Sequence, residues 1–151
     1  MPAAASPEIT EIIAQNQGLE GPLLPILHDV QAAFGHIPDT ARAPIADALN
    51  ITEAELHGVI SFYHDIRRKP AGRHVLKVCQ SEACQAMGSA AMSDKLLKLL
   101  GLDAFGSTPD GRLTVEPVYC LGLCACGPAA MLDGRVIGRV SADSLAQEVA
   151  Q

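Results

Sequence analysis

The chain has 151 residues, 48% of them apolar, with a formal net charge of −6 and a pI near 5.2. That apolar fraction over that length buries a core in one good-sized domain or two small ones. An acidic surface repels phosphates, which excludes nucleic acid as a partner and argues equally against an acidic protein surface.

Ser6 is placed to cap a first helix with Pro7 at its first position and an end near Gly18. Gly21-Pro22 opens a second, with Leu23, Leu24, Ile26, Leu27, Val30 and Phe34 at spacings of three and four and Gly35 as its stop. A third runs from about Asp39 to Leu49, interrupted or kinked at Pro44, which lacks the amide donor and clashes one turn back. "TEAE" at Thr52 to Glu55 is a capping box for a fourth helix carrying Leu56, Val59 and Ile60. These four helices predict a small bundle over residues 1–70.

After "KPAG" at Lys69 to Gly72 the texture changes. "HVLKV" (His74 to Val78) reads as a strand, and Cys84 to Leu100 as one amphipathic helix stopped by Gly101. "LTVEPV" (Leu113 to Val118) is a second strand whose Pro117 belongs at an edge or strand end. "AAML", Asp133-Gly134 and "RVIGRV" predict a hairpin with a type I′ turn, and a last helix starts near Ser141. The second half, residues 71–151, is therefore β-α-β-β-β-α. No repeat or low-complexity segment occurs beyond the alanine-rich start.

"MPAAASPEIT" carries no basic residue, the first being Arg42, so neither a secretory signal nor a transit peptide is expected. No apolar run approaches the roughly 18 residues that span a bilayer. The expected location is cytoplasmic, without direct membrane insertion. In a reducing compartment five cysteines point to metal or redox chemistry rather than disulfides.

The cysteines fall as Cys79-x4-Cys84 and, 35 residues later, Cys120-x3-Cys124, with Cys126 left over. A strand, crossover helix and second strand form a right-handed parallel unit, which puts the carboxyl ends of both strands on one sheet edge. Cys79 follows the first strand and Cys120 the second, so all four thiols can converge there. Four thiolates suit a 2Fe-2S cluster or a structural zinc; zinc's commoner loops are tighter and often include histidine, so the spacing favours the cluster. Gly122, Gly127 and the start of the helix at Cys84 would bring backbone amides to an anionic centre.

Other readings are weaker. A thioredoxin-type redox site needs C-x-x-C, which is absent, and plant-type ferredoxin ligation needs a cysteine where Met87 stands. Cys126 reads as a spectator thiol beside the centre. His57 and His64 share a helix face at seven residues' spacing but lack a third ligand, and read as packed or partner-facing. The aromatics of "SFYH" and the side chains of Met87 and Met92 read as core, and "DIRRK" as a solvated linker. With no G-x-G-x-x-G, Walker A motif or nucleophile-base pair, no private substrate site and no catalytic residue is predicted.

"CQSEAC" and "TPDGRLTVEPVYCLGLCACGPAAMLDG" resemble the thioredoxin-like 2Fe-2S subunits that accompany NADH-oxidising flavoproteins, as in respiratory complex I. "LLPILHDVQAAFGHIP" and "ELHGVISFYH" resemble that family's N-terminal helical domain. The resemblance implies an α+β chain, a small helical bundle followed by a thioredoxin-like domain. By position it makes Cys79, Cys84, Cys120 and Cys124 the ligands of a 2Fe-2S cluster. "LHDVQAAFGHIP", "FYHDIR" and "PAGRHVLKVCQSEACQAMG" are most similar to the gamma subunits of molybdenum-containing, NAD-dependent formate dehydrogenases. The corresponding subunits of complex I and of hydrogenase diaphorases are the alternatives, and a zinc-stapled scaffold is a third. The implied role is one-electron transfer beside an FMN- and NAD-binding flavoprotein subunit, with a further iron-sulfur and molybdenum catalytic subunit in the same complex.

Overall fold

The computed structural model describes residues 6–150; the alanine-rich start, residues 1–5, lies outside them. The chain divides into two compact units, Met1–Pro70 and Ala71–Gln151. Among the described residues no helix is long and apolar enough to cross a membrane.

The first unit is four helices, α1 (Pro7–Asn16), α2 (Leu23–Phe34), α3 (Asp39–Leu49) and α4 (Glu53–Phe62). Ser6 Oγ accepts from the Ile9 amide at 3.3 Å, and Gly35 ends α2 with φ 75. The expected capping box is present: Glu55 N donates to Thr52 Oγ1 at 3.1 Å, and Thr52 N donates to Glu55 Oε2 at 2.7 Å. α3 runs unbroken through Pro44, because Ala41, Ile45 and Ala46 around it are buried and tertiary packing outweighs one missing ladder bond. These α3 residues join Ile9 of α1, Ile26, Leu27 and Val30 of α2, and Leu56 and Ile60 of α4 in one core.

The second unit is a five-stranded mixed sheet with its helices. β1 (His74–Cys79) and β3 (Leu113–Val118) pair in parallel with Cys79 opposite Val118, so both strands end at one edge. β2 (Gly106–Ser107) covers β3 only at Thr114 and Val115. Pro117 thus has a free flank on that side, as a residue without an amide donor requires. β4 (Ala130–Leu132) and β5 (Arg135–Ile137) make the hairpin, with positive φ at Asp133 (48) and Gly134 (85), as a type I′ turn demands. The strand order is β2-β3-β1-β4-β5.

The single helix expected over Cys84 to Leu100 is instead two, α5 (Glu82–Ala86) and α6 (Ser89–Leu99), broken at Gly88 with φ 92. A left-handed residue cannot continue an α-helix, and glycine adopts it without penalty. The break lets a short turn carry Cys84 at the sheet edge while α6 packs Leu96 and Leu97 into the sheet's core. The last helix, α7 (Ala142–Glu148), starts at the Ser141 cap.

Candidate metal centre

Cys79 is the last residue of β1, pointing from the sheet edge into a small buried cluster with Cys84 and Ala129 that Val118, Leu121 and Leu123 shield. Cys84 sits in α5, reached through a loop held by Gln80 N to Val118 O at 2.8 Å and Gln85 N to Ser81 O at 2.9 Å. Each of these two thiols is 1% exposed. Cys120 follows β3 by two residues and Cys124 opens a 3-10 turn that ends at Cys126; both are exposed. One half of the site is therefore dry and the other open.

Cys120 Sγ and Cys124 Sγ stand 3.9 Å apart. Two thiolates held at about 2.3 Å by one tetrahedral metal lie about 3.8 Å apart, so this pair is already spaced for a shared metal. The Gly122 amide, in a left-handed turn with φ 76, donates to Cys120 Sγ at 3.4 Å. Cys120 itself has φ 101, a region that costs a non-glycine residue about 1–3 kcal/mol and is found where function needs the geometry. A Cβ on Gly127 would stand 3.5 Å from Cys84 Sγ, an ordinary van der Waals contact, so the backbone lies beside the thiol without requiring glycine there, unlike the expectation from the sequence. The Gly127-Pro128 peptide is cis.

Electrostatics link the two pairs. Burial acts upward on the Cys79 thiol, but hydrogen bonds from the Ser81 hydroxyl and amide, the Cys84 thiol and the Cys120 amide outweigh it and hold the pKa down to about 7. Burial and the neighbouring Cys79 push the Cys84 thiol up, against a bond from the Ala129 amide. Cys124 is raised by its hydrogen bond and charge interaction with Cys120. Metal binding to such a site releases protons, and Cys79 is the thiol poised to lose its own at neutral pH.

The four thiols chosen from the sequence are thus brought to one edge as two pairs. Among the described residues no group of three or more His, Cys, Asp or Glu side chains gathers tightly enough for a single ion. Cys126 is half-buried on the same turn as Cys124, with its carbonyl taken by the Arg139 amide at 2.6 Å.

The site also corrects several readings. Met87 is 60% exposed, because the break at Gly88 turns it out of the core; Met92 does pack there. Phe62 and Tyr63 are exposed, edge-to-face at 5.1 Å, with Tyr63 beside an apolar groove of about 440 Å³ that Leu24, Leu49, Ile51 and Val59 also line. α4 ends at Phe62, so His57 and His64 do not share a helix face. Part of "DIRRK" is pinned rather than solvated: Gln31 donates to Asp65 O at 2.6 Å and accepts from Arg67 N at 2.6 Å, with Ile66 buried between. Sequence reasoning missed Ser81, whose hydroxyl lies 3.1 Å from Cys79 Sγ; a serine two residues after a candidate ligand was the available signal.

The family model of the thioredoxin-like 2Fe-2S ferredoxins matches residues 9–151. The chain belongs to this family. Its cofactor is accordingly a 2Fe-2S cluster rather than a structural zinc. This ferredoxin is 39% identical over 118 residues to an NADH-quinone oxidoreductase subunit from Pseudomonas aeruginosa, covering 78% of this chain and 71% of that one. It is 31% identical over 134 residues to the HndA subunit of the NADP-reducing hydrogenase from Solidesulfovibrio fructosivorans, covering 89% and 78%. Among solved structures, an NAD+-reducing NiFe hydrogenase in the H2-reduced state matches with a TM-score of 0.69 and 26% identity over 85% of this chain. There the chain spans only 22% of the solved polypeptide's length.

The residues fit the cofactor by their chemistry. Four thiols, one pair spaced for a shared metal, backbone amides on three sulfurs and a dry flank are what an anionic iron-sulfur centre takes from a protein.

Proposed function

We propose that Cys79, Cys84, Cys120 and Cys124 ligate the 2Fe-2S cluster, and that the chain is the one-electron carrier of an NAD-dependent formate dehydrogenase complex. The observation that carries the ligand set is the 3.9 Å Cys120–Cys124 pair at the same sheet edge as buried Cys79 and Cys84. When bound, the cluster accepts and returns one electron at a time. The chain's own residues do the rest. Leu121, Leu123 and Val118 exclude water from the Cys79 side, while exposed Cys120 and Cys124 leave the other side open to a partner.

The partners follow from that division of labour. Hydride chemistry at NAD moves two electrons, so an FMN- and NAD-binding flavoprotein subunit stands between the nicotinamide and this carrier, and a molybdenum and iron-sulfur subunit oxidises formate. The matching region is 22% of the NAD+-reducing hydrogenase polypeptide, which agrees with a component that works beside others. The formate assignment rests on the resemblance of "LHDVQAAFGHIP", "FYHDIR" and "PAGRHVLKVCQSEACQAMG" to the gamma subunits of those enzymes. A cytoplasmic setting agrees with five unpaired cysteines.

A second reading, the equivalent component of NADH-quinone oxidoreductase or of a hydrogenase, is favoured by the identity of 39% to the former and 31% to the latter. Purifying the tagged chain with its native partners separates the two. Formate-dependent NAD+ reduction and stoichiometric molybdenum in the purified complex support the first; NADH-quinone or hydrogen-linked activity without molybdenum overturns it in favour of the second.

A further inference from the structure

Ser81 occupies the N-cap of α5 with φ −75 and ψ 160, where a serine hydroxyl ordinarily accepts a hydrogen bond from an amide of the first turn. Here it makes no such bond. The hydroxyl lies instead 3.1 Å from Cys79 Sγ. The loop does not need it for support: Ser81 O accepts from Gln85 N at 2.9 Å, Gln85 Nε2 donates to Gln80 O at 2.6 Å, and Gln80 Nε2 donates to Ser93 Oγ at 2.7 Å. A capping side chain has been released from capping and given to a sulfur.

We propose that the Ser81 hydroxyl donates to the Cys79 sulfur and sets the reduction potential of the bound cluster, holding it above the value the thiolates alone would give. The inference rests on the ligand set proposed above. A ligating thiolate carries no hydrogen, so in the loaded protein the serine is the donor and the sulfur the acceptor. The centre's charge goes from about −2 to about −3 as one electron is added, and a donor aimed at a ligand sulfur stabilises the more negative state more strongly. Cys79 is 1% exposed, so the bond acts in a low dielectric without competition from water. The Gly122 amide contacts its sulfur at a longer 3.4 Å and on the exposed side, where water weakens the same effect. Ser81 is a positioning and tuning residue; it takes no part in bond making.

The test compares the unsubstituted protein, Ser81→Ala and Ser81→Thr by potentiometric titration followed by EPR, with iron and acid-labile sulfide measured on the same samples. Ser81→Ala is expected to have a more negative midpoint, equivalent to about threefold to tenfold in the one-electron equilibrium constant, where tenfold is about 59 mV. Ser81→Thr, which keeps the hydroxyl, returns the midpoint toward that of the unsubstituted protein. Equal midpoints in three loaded proteins overturn the proposal. So does loss of the cluster in Ser81→Ala alone, which makes the hydroxyl a tether rather than a tuning group. If neither variant loads, resonance Raman spectra of the unsubstituted protein decide: a cysteinyl Fe–S band that shifts between H2O and D2O supports the bond, and an unshifted band overturns it. Absence of sulfide from the unsubstituted protein would sink the ligand reading itself, and iron analysis shows that before any potential is measured.

Discussion

Replacing Gly138 by alanine drives a methyl group into the turn that carries Cys124. The new Cβ would stand 2.9 Å from Cys126 Cβ and 3.0 Å from Cys126 O. Neither atom is the free end of a flexible side chain, so relief requires the backbone of the turn to move. Two hydrogen bonds resist: Arg139 N to Cys126 O at 2.6 Å and Val140 N to Pro128 O at 3.0 Å stitch the segment after β5 to residues 126–128. Overpacking of this kind costs about 1–3 kcal/mol. In a unit of this size each kcal/mol lowers the unfolding midpoint by about 4–8 °C. Gly106 in β2 is the control, because a Cβ there meets nothing within 4 Å. Thermal unfolding of the loaded protein, with iron measured per chain, should show Gly138→Ala destabilised and poorer in iron and Gly106→Ala nearly unchanged. A Gly138→Ala protein indistinguishable from the control would refute the argument that Gly138 sets the position of the Cys124 turn.

Gly58 lies exposed inside α4, and a Cβ there meets nothing within 4 Å, so Gly58→Ala should stabilise the first unit by about 0.5–1 kcal/mol in denaturant titrations. Thr52→Ala removes the Oγ1 that accepts from Glu55 N and donates to Glu55 Oε2, leaves the Thr52 amide's own bond to Glu55 in place, and should cost about 1 kcal/mol; the loss should vanish in a Glu55→Ala background only to the extent that the two side chains act as a unit, which a double-mutant cycle measures. Asp133 accepts from the Val75 amide at 2.8 Å and from His74 Nδ1 at 2.7 Å, and these hold its carboxyl below the usual range. A carboxyl depressed in the folded state contributes stability above its unfolded pKa of about 3.9 and loses it as the pH falls through the lower folded value. The stability gap between the unsubstituted protein and Asp133→Asn, under about 1 kcal/mol at this half-exposed site, should therefore close on acidification; a constant gap from neutral pH to about pH 3 would contradict the assignment.

The helix caps were legible in the sequence because each is a local rule: Ser6-Pro7, Gly35 and the Thr52–Glu55 box act within four residues. The type I′ turn at Asp133-Gly134 was legible for the same reason. That the two cysteine pairs share a sheet edge was legible too, since a parallel β-α-β unit fixes which strand ends lie together. What escaped depends on contacts or on single backbone choices. Gly88 had the apolar spacing of a continuous helix on both sides, and only its left-handed conformation shows that the helix breaks there. Phe62 and Tyr63 carry the composition of a core but stand outside it, and no periodicity distinguishes an apolar residue buried within a unit from one left on its surface. Two-residue β2 is too short to leave a pattern. Ser81 looked like an ordinary cap, and its bond to Cys79 appears only once the sheet edge is built.

The central claim is that Cys79, Cys84, Cys120 and Cys124, and not Cys126, hold a 2Fe-2S cluster. Iron and acid-labile sulfide on anaerobically purified protein, with EPR before and after dithionite, tests it directly when repeated on each single Cys→Ser variant. The account predicts about two irons and two sulfides per chain and a one-electron signal only after reduction. It predicts that Cys126→Ser keeps that content while serine at any of the other four diminishes it or alters the signal. One zinc without sulfide, or a cluster lost on Cys126→Ser and undisturbed by Cys124→Ser, would contradict it.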